Sequence, residues 1–320
     1  MFNMQFRKIT SCLPSWNQSR TGLFTMALCS TFFLSCRQDN LTIKPSDQKV
    51  RVDVTLADFV ISTEDDATRA SDKNATEAKI NRIAFSVFDK NKKVVYSEQG
   101  VDPNDPKFGT FSFLVIPGDY TFVTVAHKAS GDNDGAAEIR SLSEATITTK
   151  KMSNTYSCTQ QVNVVPHLTQ SFCVECGKRR TSTFQLLCTD DPPANVASCE
   201  IILNPSASYS TSYTFDPSTG LISEQQQYKN TFSVADIKTQ TFKGVCLAVQ
   251  CLLTSETQSI YITVNMKDAD GETVKSRTFK NVEMKPHRVT QATGPFFHST
   301  VNGSFLFDTT DDTSHVVNFQ

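Results

Sequence analysis

Apolar residues fall at every second position through much of this 320-residue chain, and that period rules out most helical folds before any motif is considered. In VRVDVTL, Val50, Val52, Val54 and Leu56 alternate with Arg51, Asp53 and Thr55, so an extended backbone turns one face to a core and the other to water. RIAFSVFD and KKVVYSE, joined through DKNK, predict a hairpin with Ile83, Phe85 and Val87 on one face. GTFSFLVIPGDYTFVTVAHK predicts a second hairpin about Pro117 and Gly118, because proline presets φ for a turn and glycine admits positive φ. EATITT and QQVNVV continue the pattern in the first half. The second half repeats it in STFQLLCTD, SCEIILN, STSYTFD, QTFKGVCLAVQCLL, GSFLFD and IYITVNMKDADGETVKSRTF, where DADGE supplies the Asp-Gly step of a tight turn. Only SLSEA and SVADIKTQ have the composition of short helices. The expectation is an all-β chain of two sandwiches in tandem, with a boundary near residues 168–180.

The N-terminus reads as a targeting segment. It holds Arg7, Lys8 and Arg20 and no acidic residue, followed by the apolar run Gly22–Leu34 and a small residue, Ser35. That run is shorter than the roughly 18 apolar residues needed to cross a bilayer. Its ending, FLSC, resembles the lipobox of bacterial lipoproteins, in which cleavage falls directly before a cysteine that is then acylated. Cys36 is that cysteine here, and the polar RQDN after it fits a tether. A lipid-held chain of this kind needs no membrane-crossing helix. The formal net charge of -2 gives no reason to expect nucleic acid as a partner.

Setting aside Cys12, Cys29 and Cys36 leaves Cys158, Cys173, Cys176, Cys188, Cys199, Cys246 and Cys251, an odd number in an exported chain. Structural disulfides and buried thiols are the default in an oxidising compartment. CVEC admits two further readings. As a zinc pair it would need Cys188 and Cys199, whose spacing does not make a second close pair. As a redox motif it should open a helix in a βαβ unit, and none is predicted around it.

Other chemistry has no local signature. His127, His167, His287, His298 and His315 are dispersed without ligand spacing and are expected at strand ends or on the surface. There is no GxSxG, HExxH or phosphate-binding glycine loop. The acidic runs TDD and DTTDDT lack the spacing of a calcium loop. No catalytic, metal-binding or cofactor-binding residue is assigned, and a hydrolase with a dispersed site has nothing positive in its favour.

Four stretches then follow in order: VRVDVTL with TRAS and EAKINRIAFSVFDKNKKVVY; FSFLVIPGDYTFVTVAH; GKRRTSTFQLLCTDDPPANVASCEIILN; and ITVNMKDADGETVKSRTFKNVEMKPHRVTQATGPFF. Together they resemble the fimbrillin superfamily, the lipoprotein precursors of pili in the Bacteroidia. The resemblance implies two transthyretin-like β-sandwich domains and assembly by donor-strand exchange. It implies a signal peptide at 1–35, a tether and removable first strand at 36–69, an N-terminal sandwich at 70–172 and a C-terminal sandwich at 173–320. Cys36 corresponds to the acylated cysteine. Arg69, the single arginine of EDDATRASDKN, corresponds to the cleavage site, with Ala70 as the new N-terminus. Val50, Val52, Val54 and Leu56 correspond to the strand that is removed.

The C-terminal segment would supply the donor strand, with Phe305, Phe307, Val316, Val317 and Phe319 as candidate plugs. The implied partners are other pilus subunits, an arginine-specific protease and, through the lipid, the outer membrane; the implied location is the surface and the fimbrium. Two alternatives stand beside a polymerising subunit. One is an anchor subunit that keeps its lipid and first strand. The other is a lipid-anchored surface protein that binds carbohydrate or another ligand, though the only tryptophan, Trp16, lies in the signal segment and leaves the mature chain without a Trp platform.

Overall fold

A computed structural model describes residues 48–57, 80–129, 135–234, 246–297 and 305–311, all within one compact unit, Ile43–Gln320. Cys36, Arg69, Ala70, Val316, Val317 and Phe319, and most of the predicted helix SVADIKTQ, lie outside the described residues. The first half contains β1 (Val50–Ala57), β2 (Arg82–Asp89), β3 (Val94–Gly100), β4 (Thr110–Val115), β5 (Gly118–His127), β6 (Glu138–Ser141), β7 (Glu144–Thr148), β8 (Thr155–Val164) and β9 (Gln170–Glu175). The second contains β10 (Ser182–Cys188), β11 (Ser198–Leu203), β12 (Ser212–Phe215), β13 (Tyr228–Ser233), β14 (Cys246–Cys251), β15 (Gln258–Lys267), β16 (Thr273–Met284), β17 (Arg288–Gly294) and β18 (Leu306–Asp311).

These strands make the expected all-β pair of sandwiches. In the first, the sheet β4-β1-β9 faces the sheet β3-β2-β5-β8 across a core that includes Val52, Ile83, Phe85, Val87, Phe122 and Ala126. In the second, β14-β10-β17-β18 faces β13-β11-β15-β16 across Phe184, Leu186, Ile201, Ile262, Val264 and Ala292. A small sheet, β12-β7-β6, joins a strand of the second half to two of the first. Ala84 and Val125, on the opposite face of β2 and β5 from Phe85, pack into the second core with Ala145 and Ile147. β2 is therefore buried on both faces, which explains why RIAFSVFD reads as a nearly continuous apolar run.

Three expectations need correction. β4 and β5 are not a hairpin: β4 pairs with β1 and β5 with β2 and β8, so Ile116 and Pro117 carry the chain across a corner from one sheet to the other. The two apolar faces, Phe111, Phe113 and Val115 on β4 and Phe122 on β5, meet across the core instead of side by side. SLSEA is not a helix but the tight connection of the β6–β7 hairpin. His127 meets its expectation by standing at the end of β5, where it is buried. The domain boundary after residue 172 falls inside β9, since Val174 and Cys176 belong to the first core.

Arg180 ties the halves together. Its guanidinium donates to the Ser157 carbonyl (3.0 Å) and hydroxyl (2.9 Å) on β8 and to the Thr219 carbonyl (3.5 Å) after β12. Gly220, at φ 81°, lies so close that an added Cβ would stand 2.6 Å from Arg180 Cβ.

Candidate functional site

The feature that sets β1 apart is its position. It is the middle strand of its sheet, antiparallel to β4 from Val50↔Val115 to Thr55↔Thr110 and parallel to β9 from Val52↔Gln170 to Ala57↔Glu175. At the C-terminal end of β1 the ladder extends past these registers on both sides, where the Leu56 amide donates to the Gly109 carbonyl (2.9 Å) and the Cys176 amide to the Ala57 carbonyl (3.2 Å). The alternation read from VRVDVTL is realised directly. Val50, Val52, Val54 and Leu56 are 8%, 0%, 1% and 9% exposed, while Arg51 and Thr55 face water. Asp53 accepts from Ser112 on β4 (2.6 Å) and from Arg51 (2.9 Å), and these two contacts, Ser112 foremost, hold its carboxyl below the usual range.

The buried face of β1 joins a core rich in aromatic rings from both sheets. Phe85 stacks on Phe111 at 4.6 Å, Tyr96 stacks on Phe113 at 4.5 Å, and Phe122 meets Phe172 edge-on at 5.6 Å. Taking β1 out would leave an apolar trough between β4 and β9 with unpaired amides and carbonyls along both walls. Such a trough accepts an extended strand whose alternate residues are apolar, through backbone bonds for affinity and side-chain pockets for register. The structure thus brings Val50, Val52, Val54 and Leu56 together as one strand face.

At the other end of the chain, β18 is an edge strand among the described residues, paired there only with β17. Phe305, just before it, is half-buried against Phe279 (4.8 Å) beneath the Arg277 guanidinium, and the absence of a side chain at Gly294 lets it approach. Phe307 also meets Phe279 (5.6 Å) but remains 46% exposed, and Leu306 is 65% exposed. Phe305 and Phe307 therefore lie on their own C-terminal sandwich, at its least covered margin.

The cysteines divide by environment. Cys158 on β8 and Cys176 just past β9 form a disulfide that crosses between the two sheets of the first sandwich. Cys173, the other half of CVEC, is free and exposed, so the two sulfurs of that motif do not act at one site. Cys188, Cys199 and Cys251 are buried thiols in the second core; burial raises all three, Cys199 and Cys251 to about 12. Such thiols stay protonated and unreactive at neutral pH. Among the described residues no group of three or more His, Cys, Asp or Glu is arranged to hold a metal ion. Sequence reasoning missed the Cys158–Cys176 pairing and the role of β9, because both depend on which strands become neighbours across the sandwich.

Residues 50–172 match the family described as "Major fimbrial subunit protein (FimA)", the stretch that runs from β1 into β9. The resemblance to the fimbrillin superfamily is borne out there. No curated protein matches the chain. Among solved structures, the fimbrial anchor protein Mfa2 from Porphyromonas gingivalis aligns at 9% identity and TM-score 0.43, over 82% of this chain and 98% of that one. The tip fimbrial protein Mfa3 from the same organism aligns at 9% identity and TM-score 0.43, over 82% and 100%. A fimbrial assembly protein from Parabacteroides distasonis aligns at 11% identity and TM-score 0.43, over 83% and 98%.

Proposed function

We propose that this chain, whose first sandwich carries the fimbrial-subunit match, is a structural subunit of a cell-surface pilus. It is exported as a lipoprotein through Cys36, cut after Arg69, and polymerised when a strand from a neighbouring subunit replaces β1. The observation that carries this reading is the placement of β1. It is the middle strand of a sheet, yet its covalent link to the rest of the sandwich runs only through residues 58–79. Arg69 is the only arginine between Arg51 and Arg82, so an arginine-specific cut in that segment has one place to fall. After it, β1 is held by hydrogen bonds and burial alone.

An extended segment of the next subunit, with apolar residues at alternate positions, has the chemistry to take its place. The C-terminal segment containing Phe305, Phe307, Val316, Val317 and Phe319 is the proposed source. Incubation of the folded, full-length chain with an arginine-specific protease, followed by N-terminal sequencing, tests the first step. The expected result is one stable product beginning at Ala70, and none from an Arg69→Lys variant. Cuts scattered through the strands, or a chain left whole, would refute it.

A further inference from the structure

The two walls of the trough are not equally secure. Among the described residues, β4 and β9 each have β1 as their only hydrogen-bonded strand partner, so both lose that ladder when β1 leaves. β4 keeps strong holds. Phe111, Phe113 and Val115 are 5%, 6% and 4% exposed, and the two-residue corner at Ile116 and Pro117 runs straight into β5 of the opposite sheet. β9 has few. Its burial alternates weakly, with Val174 the only fully buried side chain, Phe172 half-buried, and Ser171, Cys173 and Glu175 exposed. A strand with so little core contact and no ladder belongs to the low-stability end of a fold.

β9 is instead tied to β8 at its two ends. At the start, Gln170 closes the turn from β8, donating through Nε2 to the Val165 carbonyl (2.9 Å) and accepting from the Val165 amide (3.3 Å). At the end stands the Cys158–Cys176 disulfide, with Cys176 fully buried. The next backbone attachment comes only at Arg179, which bridges to Tyr156, and at Arg180, whose amide donates to the Thr155 carbonyl (2.7 Å). Without the disulfide, β9 would be an unpaired arc reaching from Gln170 to Arg179.

We propose that the Cys158–Cys176 bond is a positioning clamp that holds β9 as a wall of the trough while β1 is exchanged, so that only the disulfide-bonded subunit accepts an incoming strand efficiently. This rests on the strand-exchange reading above. The clamp acts on the emptied acceptor, not on the uncut chain, where β1 itself keeps β9 in register.

The test offers a fluorescent synthetic peptide of residues 48–57 to the folded chain after cleavage of the full-length protein by the protease and release of the N-terminal piece in mild denaturant, so that the trough is empty. Three forms are compared: wild type, the Cys158→Ala/Cys176→Ala double variant, and folded wild type reduced by dithiothreitol, which does not depend on folding without the bond. Wild type should capture the peptide. The two forms lacking the bond should bind it about tenfold more weakly or worse, the factor expected when β9 is in place a tenth of the time. Their uncut versions should keep the same far-ultraviolet circular dichroism. Equal capture by all three overturns the clamp and leaves strand exchange standing. No capture by any form, wild type included, overturns strand exchange and the clamp with it.

Discussion

Thr55 and Cys173 offer a direct way to lock β1 in place. They are opposite each other in the parallel β1–β9 register, both face water, and Cys173 is a free thiol. Neighbouring strands lie about 4.7–4.9 Å apart, inside the span that a disulfide bridges. Thr55→Cys should therefore bond to Cys173 under mild oxidation without moving the backbone.

In the cut wild type, β1 is retained by Val50, Val52, Val54 and Leu56, at roughly 1.5–3 kcal/mol for each fully buried side chain. The sum is roughly 6–12 kcal/mol, an upper figure because the released strand still shields some of its own surface. That is enough to keep the strand seated for long periods, yet an incoming strand with the same pattern can match it. A covalent bond removes the competition entirely.

The assay is polymer formation by the protease-cut protein, followed on non-reducing gels, with mass spectrometry to verify the new bond. Wild type should form a ladder, the bonded Thr55→Cys variant should remain monomeric, and Thr55→Cys with Cys173→Ser should form a ladder again. If the variant with its bond verified assembles as fast as wild type, β1 is not the strand that leaves.

Two further substitutions probe the frame around the trough. Gly220→Ala should destabilise the chain by roughly 2–4 kcal/mol, one part from the left-handed backbone and the other from driving a methyl into Arg180; an unchanged urea midpoint would contradict the junction described above. His287, at φ 65° in the turn from β16 to β17, is pushed from 6.5 to about 4 by burial and then by Lys178, Arg180, Arg179 and Arg288. Its folded pKa lies below its unfolded one, so the unfolded chain takes up the proton first, and the stability it contributes is present above about pH 6.5 and lost as pH falls toward 4. His287→Asn, which tolerates the same backbone, should reduce that acid loss by about 1–2 kcal/mol after allowance for solvent screening, read as a shallower fall of the urea midpoint across this range.

What the sequence makes legible is what is local. The β15–β16 turn follows from DADGE, with Gly271 at φ 85° and the Asp268 carboxylate accepting from the Asp270 (3.1 Å) and Glu272 (2.8 Å) amides. The inward face of β1 follows from alternation alone. IPG misled because a proline and a glycine mark a change of direction without saying whether the next strand returns to the same sheet. The small sheet β12-β7-β6 and the doubly buried β2 and β5 depend on how two sandwiches meet, which periodicity does not encode. Cys158 and Cys176 are separated by 18 residues, a spacing compatible with many pairings; only the approach of β8 to the end of β9 selects this one.

The same non-locality bears on the strand proposed to be replaced. The sheet β4-β1-β9 draws its members from residues 50–57, 110–115 and 170–175, so none of its neighbours is joined to the next by a hairpin. A middle strand with hairpins on both sides could not leave without dragging its neighbours along. β1 has none, and a single cut within residues 58–79 would free it while leaving β2 to β18 on one unbroken chain. Its neighbours then depend on other attachments, β4 on its phenylalanines and the corner to β5, β9 on the bond from Cys176 to β8. A sheet assembled from distant segments around an N-terminal middle strand is thus suited to exchange, provided that each wall is fastened to the opposite sheet.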